Sequence, residues 1–294
     1  MRVVYVTAGT VGVGDLMHGV ALRRAAQRSG LPVSVSLVSP PLPFPAVRRL
    51  ADHTAVEMDP AALVDPARAA STPLARALSS LKPDVVVVGH FWANVQRIIA
   101  QLGFEAWLLL RKAPPVWIKG PPQAPFAPSV FARRLEIEPV GFAGDFEQLA
   151  PLVVVNRDEL VPAAAARAAL LNGVDDDGRP LRLVFQAGNP GEAQALASSS
   201  SPSSSSYSHT RVIDLRDNDA PWPVADLLLG ADEIVSGAGY NAYWESRWLG
   251  TAAKTTLVPF ARRIDDQAWR LSLASLPMRE NGADQLIRML YGRR

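Results

Sequence analysis

Residues 231–267 read ADEIVSGAGYNAYWESRWLGTAAKTTLVPFARRIDDQ, and no other part of the chain carries a clearer structural pattern. The segment contains a short apolar run at 233–236, a turn of small residues, a helix-like segment at 241–249 and a second apolar run at 256–258. Short buried runs that alternate with helical segments are typical of a parallel sheet covered by helices. This segment therefore predicts a strand, a glycine turn, a helix and a second parallel strand.

The same alternation extends along most of the chain. Valine-rich runs such as residues 85–88 indicate strands that are buried on both faces of a sheet. The pattern is interrupted before an alanine-rich helix expected at 163–171, and then it restarts. The predicted fold class is therefore α/β, with one Rossmann-like unit at 1–158 and a second at 159–294. The other expected strands are residues 3–6, 33–38, 116–118, 152–155, 181–187 and 211–215, and the other expected helices are residues 16–29, 224–229, 265–274 and 283–291.

The composition excludes several classes of protein. The chain has 294 residues, of which 48% are hydrophobic and 20% charged, as in ordinary globular proteins. It has no cysteine, so disulfides, thiol catalysis and cysteine metal sites are ruled out. A formal net charge of +2, with arginines spread along the chain, gives no support to nucleic-acid binding. No apolar run reaches the roughly 20 residues that span a bilayer, so we expect a cytoplasmic protein, with peripheral membrane contact left open.

One segment is expected to lie outside the packed structure. The serine-rich run at 198–206 has almost no apolar side chains to bury, so we predict a mobile surface loop there without a catalytic role.

Two glycine clusters follow predicted strands and precede predicted helices. The first contains Gly12 and Gly14, and the second contains Gly237, Ala238 and Gly239. Glycine lets a ligand approach the backbone closely, and the start of a helix offers free N–H groups and a positive dipole end. Both clusters are therefore candidate anion sites, although any Rossmann-like unit also needs such a turn for purely structural reasons.

Polar side chains near the second cluster add to this pattern. Glu245 lies six residues beyond Gly239, early in the expected helix, where its carboxylate could accept hydrogen bonds from both hydroxyls of a ribose. Asp265, Asp266 and Gln267 follow the next strand. The structural alternatives are a solvated carboxylate for Glu245 and a helix cap for either aspartate.

The ordered series of these features resembles the donor-site segment of GT-B glycosyltransferases, and most closely the bacterial UDP-N-acetylglucosamine transferase family of the lipid-linked peptidoglycan pathway. The resemblance implies two Rossmann-like domains that face a central cleft, with the acceptor in the N-terminal domain and the nucleotide-sugar donor in the C-terminal one. Residues 186–191, QAGNPG, and residues 9–30 are similar to two further glycine turns of that family. The implied contacts are Gly12 and Gly14 in the acceptor-side loop, Gly188, Asn189, Gly237, Ala238 and Gly239 at the diphosphate, Glu245 at the ribose, and Asp265, Asp266 and Gln267 at the sugar.

The catalytic base is left open by the sequence. Many relatives have a histidine directly after the first glycine pair, whereas this chain has Asp15 there and His18 three residues later. His90, after the valine run at 85–88, is a third candidate because ligand sites of α/β proteins form at the carboxyl ends of strands. A general base in the cleft would take the proton from the acceptor hydroxyl. Each of the three could instead be a packing or capping residue.

These observations predict a metal-independent glycosyltransferase without a cofactor. The expected donor is a UDP-sugar and the acceptor is a hydroxyl compound, with a lipid-linked acceptor among the possibilities. No metal is expected because the four histidines are dispersed. The chain is shorter than is usual in the family, so two alternatives stay open: a nucleotide-sugar hydrolase of the same fold and a non-catalytic protein that binds nucleotide sugars.

Overall fold

The computed structural model describes residues 1–9, 12–199, 209–273 and 278–293. In these residues the strands form two sheets, and every pair of neighbouring strands runs parallel. The strands are β1 (Arg2–Val6), β2 (Ser34–Ser39), β3 (His53–Ala55), β4 (Val85–Val88), β5 (Ala106–Leu110), β6 (Arg133–Glu136), β7 (Glu147–Gln148), β8 (Leu181–Gln186), β9 (His209–Asp214), β10 (Glu233–Gly237) and β11 (Thr255–Val258).

The first sheet has the strand order β3-β2-β1-β4-β5-β6-β7 and is covered on both faces. In β4, Val85 and Val87 pack into one apolar core, whereas Val86 and Val88 pack into the core on the opposite face. Side chains alternate between the two faces of a strand, so a run of four valines fits only a strand that is buried on both sides. The expectation drawn from residues 85–88 is confirmed.

The second sheet has the order β11-β10-β8-β9. The order of strands reverses between β1 and β4 in the first sheet and between β8 and β10 in the second. Loops at such switch points turn away to opposite faces, which leaves a crevice at the carboxyl edge of each sheet.

Helices connect the strands and cover both sheets. The first helix ends at Gly30, whose φ of 65° is the left-handed conformation that glycine adopts without strain, as the sequence predicts. Residues 224–230 form a 3-10 helix where a helix is expected. The α-helices are α1 (Gly14–Ser29), α2 (Pro45–Arg48), α3 (Pro60–Val64), α4 (Pro73–Leu81), α5 (Gln96–Leu102), α6 (Pro115–Lys119), α7 (Ala163–Leu171), α8 (Glu192–Ser199), α9 (Tyr240–Trp248), α10 (Gln267–Ser272) and α11 (Gly282–Gly292).

One predicted strand is wrong. Residues 116–118 lie in the short helix α6, which begins with Pro115, and Val116 is 75% exposed. Proline suits the first turn of a helix because its missing N–H would have no partner there. The strand that precedes α6 is β5, a fully buried strand with the sequence AWLLL. Its run of aliphatic residues is interrupted by Trp107.

A second predicted strand, residues 152–155, is buried but pairs with no described strand. Its backbone bonds to side chains instead. The Leu152 N–H donates to the Tyr240 hydroxyl at 2.7 Å, and the Val153 N–H donates to Asn281 Oδ1 at 3.2 Å. Buried backbone groups need partners, and here side chains of the second half provide them. The segment is therefore a buried connector between the two halves.

The last helix returns to the N-terminal half. Helix α11 packs against α1, and Arg28 Nε of α1 lies 2.6 Å from Asp284 Oδ1. The division of the chain near residue 158 stays a prediction, since the final helix contacts the first unit as well as the connector.

Two further expectations concern the outer parts of the molecule. The serine-rich loop expected at 198–206 lies outside the described residues from position 200 onward, and residues 198–199 end helix α8. Among the helices that the structure describes, none combines the length and the apolar character needed to cross a membrane.

Replacing the buried Asn281 should loosen the attachment of α11. Its side chain caps α11 by accepting from the Ala283 N–H at 2.9 Å, and it also donates to the Val153 carbonyl at 2.9 Å. We expect Asn281→Ala to lower the free energy of unfolding by about 2–4 kcal/mol in denaturant titrations, because a cap and buried backbone partners are lost together. The control Asn218→Ala, at an exposed turn, should cost under about 0.5 kcal/mol. Equal losses in the two variants would contradict this role.

Candidate functional site

A cavity of about 720 Å³ lies where the carboxyl edges of the two sheets meet. Ala8 follows β1, Phe91 follows β4 and Arg111 follows β5, and all three line it. From the second sheet, Gln186 at the end of β8 and Gly237 at the end of β10 also line it. The cavity therefore occupies both switch points, which is where ligands bind in open α/β sheets.

Two helices begin at this cavity. Helix α1 starts at Gly14 and helix α9 follows Gly239, and neither helix has a side-chain cap at its N-terminus. The Asn241 side chain donates from Nδ2 to the Gly14 carbonyl at 3.1 Å, so the two helix ends are in direct contact. Uncapped helix N-termini present free N–H groups and a positive partial charge to an anion.

Glu245, on the first turns of α9, lines the same cavity and is only 5% exposed. Its Oε1 has no hydrogen-bond partner within the described residues. Burial raises the pKa of this carboxyl to about 8, and the nearby charge of Asp226 acts in the same direction. A buried carboxyl with a free oxygen at a cavity wall is typical of a binding site.

A buried network of charges closes one side of the cavity. Arg111 Nη1 lies 2.5 Å from Asp265 Oδ1, and Arg111 Nε lies 3.4 Å from Asp15 Oδ1. Arg111 and Asp15 belong to the N-terminal half, whereas Asp265 follows β11 in the other. This network therefore joins the two halves beside the cavity.

The network continues into the core through Arg270 and Glu138, whose side chains are 0% exposed. Arg270 Nε donates to Glu138 Oε1 at 2.6 Å, and Arg270 Nη2 donates to Asp265 Oδ1 at 2.7 Å. The Trp244 indole N–H donates to Glu138 Oε1 at 2.9 Å. Two arginines, Arg111 and Arg270, and three carboxylates, Asp15, Asp265 and Glu138, thus share one buried cluster.

Asp265 lines the cavity, but its own neighbours occupy its carboxylate. Oδ1 accepts from Arg111 and Arg270, and Oδ2 accepts from Gln267 Nε2 at 3.2 Å and from Arg270 Nη1 at 3.4 Å. Burial alone would raise the pKa of Asp265, yet the charges of Arg111 and Arg270 hold it well below the ordinary value. A carboxylate has about four acceptor positions, and all four are used here.

Of the other two residues expected at the donor sugar, Gln267 lines the cavity and Asp266 does not. Gln267 lines the cavity, and its Oε1 accepts from the Phe260 N–H at 2.9 Å. Asp266 is not among the residues that line the cavity, and it caps α10 by accepting from the Trp269 N–H at 2.9 Å. Asp266 is therefore a helix cap, which is the structural alternative that the sequence left open.

Most of the expected diphosphate residues meet at the cavity. Gly188, Asn189, Gly237 and Gly239 line it, as do Gly12 and Gly14 of the expected acceptor-side loop. Ala238 is an exception, because it is fully buried and its N–H donates to the Val258 carbonyl at 2.8 Å. A Cβ added at Gly237 would lie too close to the Gln186 amide, so a larger residue there would displace this side chain at the cavity.

Of the three candidate bases, Asp15 alone lines the cavity. His18 packs edge-on against Tyr240, with ring centroids 4.6 Å apart, and His90 stacks on Trp117 at 5.7 Å. Neither imidazole has a hydrogen-bond partner within the described chain, and burial lowers the pKa of both histidines to about 3. Both rings are therefore neutral packing groups in this structure, and their proposed catalytic role stays a prediction.

Sequence reasoning missed several residues of this site. Arg111 directly follows the apolar run AWLLL, which forms β5. The strand that positions Arg111 therefore lies earlier in the chain than the strand predicted at 116–118. Arg270 lies within helix α10 and Glu138 in a loop, and neither position carries a motif. Across the described part of the chain, no cluster of three or more histidine, aspartate or glutamate side chains is arranged to hold a metal ion.

The ionisation of Glu245 should be visible in the pH dependence of stability. Its pKa of about 8 in the folded protein exceeds the ordinary value of 4.5, so between these values the folded state holds a proton that the unfolded chain has released. Stability from this group is therefore complete below about pH 4.5 and is lost as pH rises toward 8, by about 1.4 kcal/mol per pH unit.

Denaturant titrations of wild type and Glu245→Gln at pH 5, 6, 7 and 8 measure this effect. The other groups are the same in both proteins, so the difference between the two free energies of unfolding isolates Glu245. We expect wild type to lose stability relative to the variant as pH rises. Parallel pH profiles would show that the carboxyl is not protonated in the folded state.

Comparisons with known proteins establish the fold. No family model and no curated protein sequence matches the chain. Among solved structures, it is similar to the spinosyn forosaminyltransferase SpnP, with a TM-score of 0.60 and 16% identity over 100% of this chain and 91% of that one. The spinosyn rhamnosyltransferase SpnG complexed with spinosyn aglycone gives a TM-score of 0.56 and 16% identity over 99% and 92%.

The glycosyltransferase SsfS6 from Streptomyces sp. SF2575, complexed with thymidine diphosphate, gives a TM-score of 0.53 and 13% identity over 99% of this chain and 86% of that one. These neighbours are GT-B glycosyltransferases. At such low identity the likeness shows the fold alone, and at that level the resemblance seen in the sequence is confirmed.

Proposed function

We propose that the chain is a metal-independent glycosyltransferase that moves a sugar from a nucleoside diphosphate to a hydroxyl acceptor. One observation carries the proposal: the uncapped start of α9, its glycine turn and the buried carboxyl of Glu245 line a single cavity that the N-terminal half also lines. In this proposal the two halves are the donor and acceptor domains of a GT-B enzyme, and the cavity is the cleft between them.

The diphosphate would bind at the second glycine turn. The first N–H groups of α9, together with the backbone near Gly237 and Gly188, offer donors to phosphate oxygens, and the helix dipole favours negative charge there. Such preorganised donors can stabilise a departing diphosphate without a metal ion. Arg263, an exposed cation that lines the cavity, adds positive charge on the same side.

The ribose would bind at Glu245. Its unpartnered Oε1 can accept a hydrogen bond from a ribose hydroxyl, which removes the penalty of a buried group without a partner. The donor sugar would contact Gln267, whose amide retains unused hydrogen-bonding positions, whereas Asp265 has none left. The SsfS6 structure contains thymidine diphosphate, so we expect either a uridine or a thymidine nucleotide as the donor.

Asp15 is the base in this proposal. Its ion pair with Arg111 orients one carboxylate oxygen, and the residue lines the cavity at the start of α1. The acceptor oxygen would attack the anomeric carbon, its proton would pass to Asp15, and the bond from that carbon to the phosphate oxygen would break. The nucleoside diphosphate would leave with the bonding electron pair.

Removing the carboxyl of Glu245 should weaken nucleotide binding. We expect Glu245→Ala to raise the Kd for UDP and for TDP about fivefold in calorimetry at pH 7, because a hydrogen bond to a neutral carboxyl contributes roughly 1 kcal/mol. Raising the pH from 6 to 9 ionises most of this carboxyl, whose pKa is about 8, and should tighten binding to wild type, but not to Glu245→Gln. Ser246→Ala is the matched control, because Ser246 is adjacent in sequence and equally buried but is not among the residues that line the cavity. Unchanged affinity in Glu245→Ala would refute the donor site.

Replacing Asp15 should separate turnover from binding. Asp15→Asn keeps the size of the side chain and can still accept from Arg111, so nucleotide affinity should be unchanged. We expect release of nucleoside diphosphate from a bound nucleotide sugar to fall at least about 100-fold, as is usual when a general base is lost. Full turnover in Asp15→Asn would exclude Asp15 as the base.

The assay for this comparison monitors UDP or TDP release from nucleotide sugars with and without an alcohol. Release that requires the alcohol supports transfer, whereas equal release in water alone supports the hydrolase alternative. Nucleotide binding without any release from a panel of sugars would support a non-catalytic binding protein.

A further inference from the structure

Glu192, the first residue of α8, holds a carboxylate next to the cavity wall of the second half. Its side chain is only 11% exposed, and Glu192 is not among the residues that line the cavity. Both of its carboxylate oxygens accept from Arg262 Nη2 at 2.6 Å. Arg262 does line the cavity, so this ion pair places a negative charge beside one of the cations that a ligand would meet.

Two further side chains of the cavity wall donate to the same carboxylate. Gln186 Nε2 donates to Oε2 at 3.0 Å, and Asn189 Nδ2 donates to Oε1 at 3.1 Å. Together with Arg262, these donors come from the end of β8, the turn that follows it and the loop after β11. One carboxylate therefore holds three polar side chains that line the cavity.

The space beside Gly188 is filled by this ion pair. A Cβ added at Gly188 would overlap the Glu192 carboxylate and would lie 2.8 Å from Arg262 Nη2. The Gly188 carbonyl also accepts a hydrogen bond from Arg216. The resemblance to GT-B enzymes implies that this glycine admits a diphosphate, whereas in this structure its open side admits an anionic group of the chain itself.

The charges around the cavity balance only when Glu192 is counted. The charged residues that line it are three arginines and two aspartates, namely Arg111, Arg262, Arg263, Asp15 and Asp265, together with Glu245. Because Glu245 is mostly neutral at pH 7, the lining residues carry one net positive charge, which the adjacent Glu192 cancels. Without this carboxylate the cavity would attract anions more strongly.

A phosphate group in the cavity would compete with Glu192 for Arg262. The planar guanidinium of arginine pairs with carboxylates and with phosphates through the same set of donors. The two anions repel each other in a partly desolvated site, so they do not share the guanidinium without a cost. The position of Arg262 between Glu192 and the cavity therefore lets one partner replace the other.

We infer that Glu192 is a resident competitor for the anion in this cavity, which yields Arg262 to a bound diphosphate and takes it back when the diphosphate leaves. The identity of that ligand as a nucleoside diphosphate rests on the proposed function, whereas the competition with phosphate does not. At pH 7 a free nucleoside diphosphate carries more negative charge than a nucleotide sugar, because the phosphate oxygen that was bonded to the sugar becomes anionic. Glu192 therefore weakens binding of the product more than binding of the donor, which favours product release.

The experiment measures binding of inorganic pyrophosphate to the full chain by calorimetry at pH 7. We expect Glu192→Gln to bind pyrophosphate about fivefold more tightly than wild type, a gain of about 1 kcal/mol, because the competing charge is removed while the size of the side chain is kept. Glu192→Asp keeps the charge but shortens its reach toward Arg262, so its affinity should lie between those of wild type and Glu192→Gln. This second variant tests the exchange even if the amide disturbs the local fold.

Glu233→Gln is the matched control. Glu233 also pairs with an arginine, Arg182, at 3.0 Å, but it lies at the start of β10, the strand end opposite to the cavity. This control should leave the affinity for pyrophosphate unchanged. Equal or weaker binding in Glu192→Gln than in wild type would overturn the inference, because Glu192 would then only order the wall. An equal gain in Glu233→Gln would also overturn it, because the effect would then come from net charge alone.

A comparison of UDP with UDP-glucose tests the role in product release. Glu192→Gln should tighten binding of UDP more than binding of UDP-glucose, and equal gains would contradict that role. If pyrophosphate follows the predicted order but UDP and TDP fail to bind, the nucleotide donor is wrong and the competition stands. If both nucleotides bind and Glu192→Gln leaves pyrophosphate affinity unchanged, the competition is wrong and the proposed function stands.

Discussion

The arrangement of the site depends on the buried ion network through Arg270. Its guanidinium is 0% exposed and contacts Glu138 from one half of the molecule and Asp265 from the other. Such a group is costly to remove from water, and the cost is offset only when nearly all of its donors have partners. Arg270 meets that condition because it also donates to the Ala238 carbonyl. The relative position of the loops after β6, β10 and β11 is therefore fixed by one side chain, and the cavity lies between those loops.

Two buried acidic residues at the cavity, Asp265 and Glu245, have contrasting environments. The carboxylate of Asp265 accepts hydrogen bonds from two arginines and an amide, and these partners stabilise it as an anion. Glu245 has an oxygen without a hydrogen-bond partner among the described residues, and burial raises its pKa to about 8, so this carboxyl is mostly a neutral acid at pH 7. Only the second arrangement gains from a ligand. The two acidic positions therefore differ in what they can offer a ligand, although both line the cavity.

The sequence predicted the elements that are marked by a local run of apolar residues or by a glycine at a helix end. The valines of β4, the apolar runs of β1, β8, β10 and β11, and the glycine that ends α1 belong to this group. Predictions failed where tertiary contacts overrode local pattern, as at residues 152–155, whose buried backbone is paired by Asn281 and Tyr240 from distant positions. Arg111 and Arg270 were missed for a related reason: a charged residue reveals a buried role only when its partners, 154 and 132 positions away, are known.

The glycine clusters show how one sequence feature can serve different purposes in the two halves. At Gly239 the absence of a side chain leaves the start of α9 open to an anion. At Gly9 the same absence lets Phe91 lie against the backbone, which builds an apolar surface. Similar turns therefore contribute to the cavity in different ways: one exposes the N–H groups at the start of a helix, and the other makes room for an aromatic ring.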